Sequence, residues 1–81
     1  MSDWFNHYRQ LKSTADEARE RLDKEFAFLH ERILEWEARP DDYLLIPSDF
    51  SGLIAADAEY RRTQAELQRL LVEKYLTLMG G

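Results

Sequence analysis

Eighty-one residues, 44% hydrophobic and 33% charged, suffice for one small domain and lie outside the composition of disordered chains. The chain has no cysteine, so a disulfide framework and a thiolate zinc site are both excluded. Sixteen acidic against eleven basic side chains give a formal charge of −5, which argues against direct nucleic-acid binding, because duplex affinity rests on Lys and Arg neutralising phosphates.

From Trp4 the apolar positions run Trp4, Tyr8, Leu11, Ala15, Ala18, Leu22, Phe26, Leu29, Ile33 and Trp36, spaced by three and four throughout. That spacing predicts one amphipathic helix over about residues 3–38, roughly 54 Å long. Ser2 is placed to cap it and Asp3 to favour its first turn, while Pro40 turns Arg39 away from helical geometry and ends it. Two successive four-residue steps, Ala18 to Leu22 to Phe26, predict a stutter that locally straightens any supercoil.

The connection, about residues 39–49, has Pro40 and Pro47 bracketing Tyr43-Leu44-Leu45-Ile46. An apolar run in a connection is read first as a plug over the end of the helix pair, and second as a hook for a partner. The second helix is expected over about residues 50–79, with Ser48, Asp49 and Ser51 as capping candidates and Gly80 and Gly81 as the stop. Its seam is narrow between Tyr60 and Leu67. From Leu67 onward apolar residues spread around more than half the circumference, and such a helix must bury more than one face.

Two long helices joined by a short connection predict an all-α antiparallel hairpin, with coiled-coil packing between the helices. A single hairpin cannot cover both sides of its apolar terminal end, so a homodimer closing as a four-helix bundle is expected. The residues assigned to self-association are Trp4, Phe5, Tyr8, Leu67, Leu71, Tyr75 and Leu78. Phe28, off the main stripe, is read as facing a second protomer or a partner.

Charge is concentrated in the middle of the chain. Between Glu35 and Glu59 seven carboxylates accompany one base, Arg39, so that window carries −6 and the rest sums to +1. Glu35, Glu37, Asp41, Asp42 and Asp49 surround Trp36 and Tyr43, combining acidic groups that steer encounter with aromatic anchors. These seven residues are the candidate contact for a basic protein surface.

The residues for catalysis are missing from the pattern. His7 and His30 would lie roughly 35 Å apart along one helix, and Ala27 stands where a Glu-x-x-His metal motif needs its carboxylate. No serine sits in a Gly-x-Ser-x-Gly elbow, and Gly52 is the only glycine before the terminal pair, which leaves no phosphate loop. Neither an enzyme nor a cofactor is expected. The N-terminus lacks a signal-peptide pattern and no apolar run reaches spanning length, so a soluble, cytoplasmic protein without a membrane partner is expected.

The expected function is therefore a non-enzymatic interaction module, an adaptor, chaperone or inhibitor, that self-associates and binds a basic partner through its acidic loop end. A narrower alternative is a phage-type inhibitor of a nucleic-acid-handling host defence protein, blocking or mimicking nucleic acid. A further alternative is a structural subunit of a larger assembly. In gross architecture a short helical hairpin resembles small secretion-system chaperones and several phage-encoded inhibitors, and architecture alone does not fix function.

Overall fold

The computed structural model describes residues 3–42 and 45–80, and these form two helices, α1 (Asp3–Ala38) and α2 (Pro47–Gly80). The expected cap Ser2 lies outside the described residues, as do Tyr43, Leu44 and Gly81. The helices pack on each other as an antiparallel hairpin measuring 64 × 21 × 16 Å. Three cross-helix contacts set that direction: Trp4 with Lys74, Arg21 with Glu59, and Arg32 with Asp49.

The packed stripe of α1 departs from the expected one in its second half. It follows Leu11, Ala15, Ala18, Leu22, Glu25, Leu29 and Arg32, alternating steps of four and three without a stutter. An uninterrupted seven-residue repeat keeps one seam facing the partner helix along its length. Phe26, 55% exposed, and Ile33 fall one position outside the seam, and the charged residues Glu25 and Arg32 take their places.

Both substitutions have a local cause on α2. Gly52 lacks the side chain that would occupy the space of the Glu25 carboxylate, and a Cβ built there would collide with that group. Asp49 accepts from Arg32 Nη2 at 3.4 Å. A half-buried guanidinium beside a half-buried carboxylate satisfies charge that would otherwise be costly at a seam.

On α2 the seam runs Leu53, Ala56, Tyr60, Thr63, Leu67, Leu70 and Lys74. Ala15, Ala18 and Ala56 are buried and small, which lets the two backbones approach closely. Thr63 is buried without an unmet donor, because its hydroxyl donates to the Tyr60 carbonyl at 2.9 Å. No large side chain is wholly enclosed among the described residues, so the hairpin core is one thin layer.

The start of α2 is earlier and built differently than expected. Ile46 is the cap residue and Pro47 the first helical position, where its missing N–H costs nothing. Asp49, three residues past the cap, accepts from the Ile46 N–H at 3.0 Å while its own N–H donates to the Ile46 carbonyl at 2.9 Å. This is the reaching-back half of a capping box. Ser48 and Ser51 do not cap; the Ser51 hydroxyl donates to the Ser48 carbonyl within the first turn. At the far end α2 runs one residue past Met79, to Gly80.

Candidate interaction surfaces

The repeat determines which residues share a side of the hairpin. In an antiparallel pair, residues that immediately follow a seam position project to one flank, and those that immediately precede one project to the other. The ion pair Arg21 Nη1 to Glu59 Oε2, 3.1 Å long, joins two preceding residues and marks their common flank. Farther along this flank, toward the chain termini, His7, Glu66, Arg69 and Glu73 line a shallow groove with Leu11 and Leu70. Phe28, exposed, belongs to this flank.

The other flank carries two apolar patches. At the terminal end are Phe5, Leu71, Tyr75 and Leu78, all exposed, with Leu78 at 72%. Toward the loop are Phe26, Ile33 and Ile54, with Ile54 at 65%, beside the half-buried Phe50. Between them lies a polar waist with two ion pairs, Lys12 to Asp16 at 2.6 Å and Arg61 to Asp57 at 2.9 Å. The hydrogen-bonded Asp16 carboxylate raises the Lys12 ammonium pKa above its ordinary value.

The residues assigned to self-association separate into two groups. Leu67 is buried in the hairpin seam, and Trp4 and Tyr8 are half-buried, their rings stacked at 5.5 Å with 9° between planes. Phe5 meets Trp4 edge-on at 5.4 Å, and Lys74 Nζ lies 5.2 Å from the Trp4 ring centroid. Phe5, Leu71, Tyr75 and Leu78 remain available on the surface. Val72, Leu76 and Met79 are also exposed and carry the apolar surface further around α2. Phe26, Ile33 and Ile54, which the sequence reading placed among the packed or general apolar positions, join the available set. Their signal was recurrence: Phe5, Phe26 and Ile33 on α1, like Phe50, Leu71 and Leu78 on α2, repeat at multiples of seven.

The acidic loop end is also divided. Asp49 is engaged with Ile46 and Arg32, and Glu35 lies 3.7 Å from Arg32. Glu37, Asp41 and Asp42 are exposed and form no ion pair among the described residues. Trp36 occupies the next seam position beyond Arg32 yet is 40% exposed, because α1 extends past the start of α2 and the residues opposite it belong to the connection. Leu45 is half-buried and Ile46 exposed, while Tyr43 of the same candidate set lies outside the described residues.

His7 and His30 are both exposed, and among the described residues no three His, Asp or Glu side chains gather as a metal cluster. No described helix is long and apolar enough to cross a membrane. No family model matches the chain, and no curated protein or solved structure was found to resemble it.

Proposed function

We propose that this hairpin is a non-enzymatic protein-protein interaction module that self-associates through exposed apolar surface and binds a basic protein surface through its loop end. The observation that carries the reading is Trp36, a large exposed aromatic with Glu37, Asp41 and Asp42 exposed nearby and free of ion pairs among the described residues. An aromatic anchor supplies desolvation energy on contact, while unpaired carboxylates attract and orient a cationic surface. Asp49 and Glu35 act in this reading as internal supports, holding Arg32 and the start of α2.

The experiment is affinity capture from nuclease-treated lysate, comparing wild type with an Asp41→Lys, Asp42→Lys double variant at low and moderate salt. A partner held by wild type, weakened by salt and lost by the variant supports the reading. A partner indifferent to both changes contradicts it. Competition by DNA or RNA for that partner would select the narrower inhibitor of a nucleic-acid-handling protein.

The exposed apolar residues of α2 favour a second reading, a structural subunit completed by a larger assembly. That protein would aggregate when produced alone, whereas a self-associating module would form a discrete soluble oligomer.

A further inference from the structure

The chain exposes 6646 Å², whereas compact monomers of 9.7 kDa expose about 5,100 Å². Its radius of gyration is 18.6 Å, against about 12 Å for a compact domain of this length. The excess of roughly 1,500 Å² exceeds the ~800 Å² that each partner buries in a standard interface. The elongated hairpin therefore has surface enough for one such interface.

The distribution of that surface identifies the cover. On the flank opposite the Arg21 to Glu59 pair, Phe5 and Phe26 are separated by 21 residues of α1, and Ile54 and Tyr75 by 21 residues of α2. Both separations are three heptads, roughly 32 Å. Two apolar patches at equal distances from a polar waist can cover each other under a two-fold axis through that waist. One copy turned end for end places its terminal patch on the loop patch of the other, twice.

We propose that the occupant of this flank is a second copy of the chain, docked antiparallel about a two-fold axis passing near Asp16 and Gln64. This rests on the self-association part of the proposed function and specifies its geometry. Phe5 then meets the partner's Phe26, and Tyr75 meets the partner's Ile54.

Charge favours the same arrangement. Residues 21–60 hold ten acids and four bases, net −6, and the remaining residues six acids and seven bases, net +1. Turning one copy end for end sets each −6 half beside a +1 half, whereas a parallel pair would set the two −6 halves together.

The absence of native cysteine permits a clean test by sedimentation and single-site crosslinking. Wild type should sediment as a dimer. Ile54→Lys, at an exposed site, should keep its helical circular dichroism and weaken dimerisation roughly 100-fold or more, as expected when a well-buried aliphatic contact is lost at both of its symmetry-related copies. Tyr75→Cys mixed with tagged Ile54→Cys should join through a short bis-maleimide, while neither variant should join to itself. Self-joining of Tyr75→Cys, or a dimer joined in no combination, would overturn the antiparallel geometry while leaving self-association standing. A wild-type monomer would overturn both.

Discussion

Arg21 and Glu59 meet across the hairpin at 3.1 Å, 38 residues apart in the chain, and their contact marks the register of α1 against α2. The Arg21 side chain is largely in solvent and that of Glu59 partly so, and the pair reports register more than it supplies stability. Arg21→Glu should lower stability by about 0.5 kcal/mol through a like-charge contact, and adding Glu59→Arg should recover most of that loss. Urea unfolding of the two single variants and the double variant reads the coupling directly. Additive losses would mean that the helices are offset from this register.

Glu25 occupies seam space that Gly52 leaves open. Gly52→Ala improves helix propensity by about 1 kcal/mol but drives a methyl group into the Glu25 carboxylate. The obstacle is the end of a flexible side chain, so part of the gain should survive. Gly52→Ala combined with Glu25→Ala should gain more than the two single changes add up to. Thermal melts of the four proteins measure that coupling, and strict additivity would contradict the close approach.

Asp49 supports the fold by bonding the Ile46 N–H and pairing with Arg32. Asp49→Ala should therefore destabilise by about 1–2 kcal/mol, with Asp49→Asn milder because an amide oxygen still accepts from Ile46. The same variants should leave partner capture unchanged wherever the protein remains folded. Loss of capture from a fully folded Asp49→Asn protein would return this residue to the binding surface.

The two helices and their antiparallel pairing were legible in sequence, because apolar spacing of three and four persists from Trp4 to Leu22. The second half of α1 was harder to read. Hydrophobicity favoured Phe26 and Ile33 for the seam, but the partner helix offered a glycine to Glu25 and a carboxylate to Arg32. That choice depends on cross-helix register, which no single helix encodes. Asp49 was ambiguous for a similar reason, since an acidic residue near a helix start serves equally as a support or as a charged contact. At the terminal end, Leu67 and Leu71 look alike in sequence and differ only in which side of α2 meets α1.

The loop end as a binding surface is tested most directly by titrating wild type and the Asp41→Lys, Asp42→Lys variant with the captured partner over a range of salt concentrations. Wild-type affinity should fall steadily as salt rises, and the variant should bind weakly at every concentration with a flatter dependence. Equal affinity for the two proteins, unaffected by salt, would contradict it and assign the partner to the apolar surfaces instead.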